Sequence, residues 1–502
     1  MKIRGLRVLR HALLFLLYGL LAVVLTVLVV AVVILDDRPD LHVWHTANLD
    51  EEFRVGHGVN TFEDYLALED RLFKQLQEMV YDRVKPTERD VVNRYASGSL
   101  ANPRMWKRNW NRTFELTVEG EPDAGVLLLH GLSDSPYSLR TLGDALHASG
   151  AWVVGLRIPG HGTAPSGLLD VEWEDMAAAV RIAAVHLKER IGDQPLYIVG
   201  YSNGGALAVE YALESLKDEL LPRPDRLVLL SPEIGISKAA ALASVQGGLG
   251  RVLGLQKLAW SSILPEYDPY KYNSFAVNAG DLAYRLTNHL RERILAMEVS
   301  GALREFPPVL AFQSAVDATV SMPALVKVLF DHLPENDHAL VLFDLNRIAA
   351  VEELLTHDPK PEIEAMLGNR SLPFAFTAVT NRDDENEEVV ARTIYPGREA
   401  WVETLLDTTW PREIYSLSHI ALPFPRTDPL YGEGDAGKYK GIRLGNLALR
   451  GERGVLKVTP GDMLRQHWNP FYPYVEQRTF EFLQLAPPST VEGRVPLEPR
   501  AY

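Results

Sequence analysis

The chain has 502 residues, 51 Lys and Arg against 66 Asp and Glu, and a formal net charge of −15. That acidic balance argues against nucleic acid as the main partner, because phosphate binding wants a basic surface. With 47% hydrophobic and 23% charged residues the composition is that of a folded globular protein, and the absence of cysteine excludes disulfides, Cys-ligated metals and a cysteine nucleophile.

The N-terminus carries Lys2, Arg4, Arg7 and Arg10 without an acid, and no residue from Ala12 to Leu35 is charged. A helix needs about 20 apolar residues to cross a bilayer core. A cleaved signal usually has an apolar region of only ~7–15 residues and a small-residue cleavage site. The run here is longer and ends in "VVILDDRPD". Residues 12–35 are therefore expected to form an uncleaved transmembrane helix, with residues 1–35 as basic flank plus anchor. The basic flank would stay cytoplasmic and the C-terminal bulk of the chain would be non-cytoplasmic, periplasmic in a bacterium.

Residues 36–111 read as a juxtamembrane linker followed by an amphipathic helix over 62–84, with Leu66, Leu72, Phe73, Leu76 and Met79 near one stripe. From residue 112 short apolar β-type runs alternate with helical stretches, the pattern of a mostly parallel sheet covered on both faces. This α/β core is expected over 112–232, interrupted by a helical cap at 233–304. It resumes over 305–333. A second insertion at 334–411 precedes a C-terminal core segment, 412–502, ending in a helix. The acidic "NRDDENEE" (381–388) lacks the spaced ligands and glycine of a calcium loop and reads as a solvated turn.

The chemistry concentrates in "LYIVGYSNGGALAVEYAL" (196–213). An apolar strand runs into Gly200-Tyr201-Ser202-Asn203-Gly204, and a helix follows at once. In this G-x-S-x-G arrangement the backbone turns so sharply that Gly200 and Gly204 must be small, and the Ser202 hydroxyl projects at the sheet edge beside free helix N–H groups. A structural turn containing a serine is the alternative, and the strand-before, helix-after context favours a nucleophile. Upstream, "VLLLHGLSDSP" (126–136) ends a strand at His130-Gly131. The loop after such a strand commonly supplies an oxyanion donor, here the N–H of Leu132 beside that of Asn203. His130 itself reads as a loop-organising residue.

These segments, with "LRIPGHGTAP" and the helix start at Trp173 and Asp175, resemble the α/β-hydrolase superfamily, and within it the monoacylglycerol lipase and carboxylesterase group. The resemblance covers about residues 112–330 well and the C-terminal part loosely. It implies a Ser–Asp–His triad in that chain order, a cap over the site, ester hydrolysis on acyl substrates, and no cofactor or metal. In "PPVLAFQSAVDATVSMPALV" (307–326), Asp317 stands where the acid is expected, at the end of a strand and ahead of a helix.

The base must then be a histidine after Asp317. His419, between a β-type run and a Pro-rich loop in "PREIYSLSHIALPFPRTDPLYG" (411–432), is favoured, and His467, just before the last helix, is the alternative. His332 and His338 flank a polar turn and read as solvent-facing, and His357 as a helix-end residue. The spacing from Asp317 to His419 is longer than the resemblance implies, and no glycine directly precedes His419. The expected function is a membrane-anchored serine hydrolase for small-molecule or lipid esters of acylglycerol type. A Leu-, Ala- and Tyr-rich cap around Trp260 would receive an apolar acyl group. An amidase or peptidase with the same triad, or a non-catalytic binding protein on this fold, are the alternatives.

Overall fold

In the computed structural model the described residues are 11–23, 25, 26, 38–85, 92–235, 256–349, 355, 357–434, 441–445, 461 and 464–487. A ten-stranded sheet organises them, in the order β1-β3-β2-β4-β5-β8-β9-β10-β11-β12. Its strands are β1 (Phe114–Leu116), β2 (Ala124–Leu129), β3 (Ala151–Leu156), β4 (Leu196–Tyr201), β5 (Arg226–Leu230), β8 (Val309–Ser314), β9 (Ala339–Phe343), β10 (Ala375–Asn381), β11 (Glu388–Ile394) and β12 (Val402–Thr409). From β3 to β10 every neighbour is parallel, and β1, β11 and β12 add antiparallel edges.

The central strands are continuous apolar runs because both faces are covered. Every residue of β2, β4, β8 and β9 is buried. One face packs on the helices Trp173–Ile191 and Asn203–Ser215, and a second apolar cluster on the other face gathers Tyr137, Leu142, Phe424, Phe471 and Phe480. The mostly parallel α/β sheet expected from the sequence is thus present.

Three regions are arranged differently from the sequence-based expectation. Within the cap segment 233–304, residues 236–255 lie outside the described residues. The described part forms a small hairpin, β6 (Trp260–Ser262) with β7 (Phe275–Ala276), and a long helix, Val277–Ser300. That helix does not stand over the site as a separate roof. It buries Leu286, Leu290, Ile294 and Met297 and packs along the helices Trp173–Ile191 and Asn203–Ser215. Segment 334–411 supplies β9 to β12 to the main sheet, because its apolar runs pair parallel to β8 and then fold back as hairpins. Its acidic turn at 381–388 joins β10 to β11, where Asp383 accepts the N–H groups of Glu385 and Asn386.

The region read as a linker is packed. Trp44 and Phe53 are buried, and Glu52 forms an ion pair with Arg157 at 3.0 Å, joined from the helix Phe62–Met79 by Glu69 at 3.2 Å. That helix starts at a Thr61 cap and buries Phe62, Tyr65, Leu68, Glu69, Leu72 and Leu76. Its inner face is rotated from the expected stripe, so Leu66, Phe73 and Met79 are half-buried. The rotation brings Glu69 in to meet Arg157.

Of the expected anchor, residues 12–23, 25 and 26 are helical, and Leu13, Phe15, Leu16, Leu17, Leu20 and Leu21 are exposed. Residues 24 and 27–35 lie outside the described residues. No helix among the described residues is long and apolar enough to cross a membrane, so the transmembrane expectation is unsupported by the fold.

Candidate active site

Ser202 sits between β4 and the helix Asn203–Ser215 with φ 54° and ψ −117°. A non-glycine residue held there costs of order 1–3 kcal/mol, and the surrounding structure must impose it. The hydrogen bonds that do so are visible. Ser202 donates its N–H to the Leu230 carbonyl at 2.9 Å, and its own carbonyl accepts from Gly205 and Glu233, each at 2.9 Å. The flanking glycines are sterically required. A Cβ on Gly200 would lie 2.5 Å from the Gly204 carbonyl oxygen, and one on Gly204 would overlap the Leu129 carbonyl oxygen. Both obstacles are backbone, which cannot step aside.

His419 Nε2 lies 3.0 Å from Ser202 Oγ, and His419 Nδ1 lies 2.8 Å from Asp317 Oδ2. The imidazole and the carboxylate are nearly inaccessible, with 5% and 0% of their side-chain surfaces exposed. Asp317 follows β8, ahead of the helix Met322–Val328, and its Oδ1 accepts the N–H groups of Thr319 at 2.8 Å and Val320 at 3.1 Å. Burial pushes this carboxyl toward its neutral form. The His419 ring and the two N–H groups outweigh that push and hold it below the ordinary range.

The long interval between Asp317 and His419 has a structural reason. After β9 the chain leaves through β10, β11 and β12, then returns beside the point it left. Leu345 bridges Ser416 in antiparallel fashion. Asn346 donates its N–H to the Tyr415 carbonyl at 2.9 Å, and its Nδ2 donates to the carbonyls of Pro411 and Ile414, each at 3.0 Å. Asn346 therefore closes the excursion at its neck and delivers His419 to Ser202. Tyr201 stacks obliquely beside the His419 ring at 5.4 Å, and Ser418 Oγ donates to the Gln466 carbonyl. No sequence signal marked Asn346.

The other expected residues are placed as follows. Gly131 and Leu132 line the same cavity as Ser202, and a Cβ on Gly131 would come 3.1 Å from that of Ser202. Asn203 follows Ser202 at the helix start, and its Nδ2 donates to Glu233 Oε2 at 3.1 Å. His467 lines the cavity with its ring parallel to that of Tyr431, while the imidazole bonded to Ser202 is that of His419. His130 uses both ring nitrogens internally, Nε2 accepting from Ile158 N–H and Nδ1 donating to the Gly131 carbonyl. Burial, with His161 adding to it, keeps that ring neutral. His338, expected at the surface, is 2% exposed because Nδ1 accepts the N–H of Val309 at the start of β8. Among the described residues no cluster of His, Asp and Glu is arranged to hold a metal ion.

The cavity over Ser202 has a volume of about 300 Å³. The cap segment contributes Leu264 and Phe275 to its lining, but not the expected Trp260. Trp260 is buried elsewhere, edge-on to the ring of His45. The cavity is instead walled by Tyr267, Tyr272, Phe424 and Tyr431 and carries ionisable groups, including Asp134, Glu233, Lys271 and Arg465. Burial pushes Asp134 and Glu233 up to about 7. Glu233 is a site residue that sequence reading missed, although its position directly after β5 and beside the elbow offered a clue.

Residues 120–345 match a family model described as serine aminopeptidase, S33. A thermostable monoacylglycerol lipase of Bacillus sp. (strain H-257) is 35% identical over 88 residues, which is 18% of this chain. The matched segment spans 34% of that relative, about a third of its length. Among solved structures, a monoacylglycerol lipase from Paleococcus ferrophilus aligns with TM-score 0.35 and 20% identity, over 46% of this chain and 87% of that one. A metagenome-derived lipolytic enzyme aligns with TM-score 0.36 and 20% identity, over 47% and 88%.

Proposed function

We propose that this chain, an α/β-hydrolase whose residues 120–345 match the serine aminopeptidase family, is a serine hydrolase that cleaves carboxylic esters through Ser202. The observation that carries the reading is the hydrogen-bonded line from Asp317 through His419 to Ser202 Oγ. His419 Nε2 takes the hydroxyl proton as Ser202 Oγ attacks the ester carbonyl carbon. Asp317 keeps the Nδ1 proton in place and stabilises the imidazolium that forms. The negative charge that gathers on the carbonyl oxygen is met by the N–H groups of Asn203 and Leu132, a contribution of several kcal/mol in sites of this kind. When the tetrahedral adduct collapses, the C–O bond to the alcohol breaks and His419 gives its proton to the leaving oxygen. Water then attacks the acyl-enzyme with His419 again as base, and Ser202 leaves protonated.

The polypeptide is anchored in this reading by residues 12–35, with the hydrolase domain on the non-cytoplasmic side, periplasmic in a bacterium. Support comes from the uncharged run and from the exposed leucines of the described helical part. Lipid esters of acylglycerol type suit that setting, and the lipase relative agrees with it. Amide cleavage is the second reading, favoured by the aminopeptidase description of the matched family.

The test is hydrolysis of p-nitrophenyl esters by wild type and Ser202→Ala. A fall of about 10³-fold or more is expected, leaving only what binding and the oxyanion donors supply. Equal rates above background would move the chemistry away from Ser202, and a wild-type rate no higher than the uncatalysed one would refute the reading in favour of a non-catalytic binding protein. Faster turnover of aminoacyl p-nitroanilides than of esters would select the amidase. For the anchor, a reporter fused after residue 40 that is active only in the cytoplasm would overturn the orientation.

A further inference from the structure

The Ser202 cavity contains two cations that its catalytic chemistry does not use. Lys271, on the loop between β6 and β7, and Arg465, just ahead of the last helix, both line it. Among the described residues neither has an acidic partner within salt-bridge distance, and the hydrogen bond recorded for the Arg465 guanidinium goes to Thr319 Oγ1 at 3.2 Å. The nearby carboxylates, Asp134 and Asp268, hold hydrogen bonds of their own and make no ion pair with either cation. Asp268 accepts the Tyr431 hydroxyl at 2.6 Å and two backbone N–H groups, and Asp134 accepts the N–H of Ser135.

The two cations are close enough for Arg465 to disfavour the charged form of Lys271. Burial lowers the Lys271 ammonium first of all, and Asp134 and Asp268 offset only part of that. Asp134, itself pushed up to about 7, is a fractional counter-charge at neutral pH. Both cations line one cavity, and Asp134 and Asp268 act on Lys271 only from beyond ion-pair distance, so the buried ammonium is incompletely compensated in the empty protein. A bound anion removes that penalty and accepts charge-assisted hydrogen bonds from both.

We propose that Lys271 and Arg465 form an anion subsite beside Ser202, so that the natural substrate carries a carboxylate or phosphate group in addition to the bond that is cleaved. The inference rests on the serine-hydrolase reading for the cleaved bond, but not for the anion site itself. A cavity of about 300 Å³ is at the small end of ligand pockets, which fits a compact anionic head. The aromatic walls would flank the neutral part of such a molecule.

The binding test uses full-length Ser202→Ala protein, which cannot turn over. Succinate and methyl phosphate are titrated into it calorimetrically at low and high salt. At least one anion should bind, binding should weaken with salt, and Lys271→Gln or Arg465→Gln should each weaken it by about tenfold or more. Lys271→Arg should retain binding. Succinate alone or methyl phosphate alone would identify the group as carboxylate or phosphate. No binding of either anion, or binding that both Gln variants leave intact, overturns the proposal. Should Lys271→Gln fail to fold, Arg465→Gln decides, since Arg465 lies at the outer wall.

A second measurement compares kcat/KM for mono-p-nitrophenyl succinate with that for the neutral p-nitrophenyl butyrate. The ratio should fall by about tenfold in either Gln variant, and an unchanged ratio counts against the subsite. If wild type hydrolyses neither ester, the hydrolase reading fails, and the titration still decides the anion site.

Discussion

Asn346 offers the sharpest test of how His419 is brought to Ser202. Its Nδ2 donates to two carbonyls of the returning segment, those of Pro411 and Ile414, and the residue is 1% exposed. Asn346→Ala removes both bonds. The Ile414 carbonyl is buried, so it loses its partner without gaining water, a cost of about 1–3 kcal/mol, while the half-exposed Pro411 carbonyl adds about 1 kcal/mol. A loss of about 2–4 kcal/mol in unfolding free energy is therefore expected. Asn346→Asp keeps the shape but turns a carboxylate toward two carbonyls, and should cost more. The same change loosens the neck that sets the 3.0 Å His419–Ser202 contact, and misplacement of about 1 Å in such a contact lowers the rate by ~10²-fold. Urea unfolding read by tryptophan fluorescence gives the first quantity, and the rate of Ser202 acylation by a p-nitrophenyl ester gives the second. If Asn346→Ala leaves both within about 0.5 kcal/mol and a factor of about two, the neck does not hold the base and the reasoning is refuted.

Three further outcomes follow from other parts of the structure. Gly204→Ala would drive a methyl into the Leu129 carbonyl oxygen, so the variant should lose about 3 kcal/mol or more, and a thermal melt like that of wild type would contradict the elbow packing. Glu233 is neutral in preference, its carboxyl pushed by burial from 4.5 up to about 7. A raised folded value contributes stability that is full below 4.5 and is lost as pH climbs through about 7. Glu233→Gln should therefore match wild type near pH 4.5 and exceed it by up to about 3 kcal/mol at pH 8, and parallel pH–stability curves would rule this out. The buried Arg140–Asp428 pair, 2.6 Å apart with side chains 5% and 1% exposed, braces the loop that brings Tyr431 to the cavity. Arg140→Met strands the carboxylate and should lower stability by about 3–5 kcal/mol in chemical denaturation, whereas a loss below about 1 kcal/mol would mean that the Tyr137 and backbone donors suffice.

What the sequence made legible is what local chemistry dictates. An apolar strand, a glycine on each side of a serine and an immediate helix were enough to place the Ser202 turn, although the Leu129 and Leu230 carbonyls and the Glu233 N–H help to hold it. Asp317 was readable from equally local context, being the first acid after a mostly apolar, fully buried strand. His419 was only one of several histidines, since its position depends on a contact made at the far side of an excursion of some sixty residues, closed by an asparagine that looks ordinary in sequence. The character of the cavity was legible only in part. Trp260 and the leucines of the helix Val277–Ser300 pack away from the cavity, Leu264 and Phe275 of the same segment line it, and Lys271, Arg465 and Glu233 meet there only through tertiary folding. The burial of Glu69 on an otherwise apolar helix face had the same origin, its partner Arg157 lying 88 residues away.

The central claim is that Ser202 is a nucleophile activated by His419, and labelling by a fluorophosphonate probe reads it directly. Wild type should be labelled at Ser202, Ser202→Ala should not be labelled, His419→Ala should lose labelling, and His467→Ala should retain it. Labelling that survives His419→Ala but disappears in His467→Ala would contradict the account.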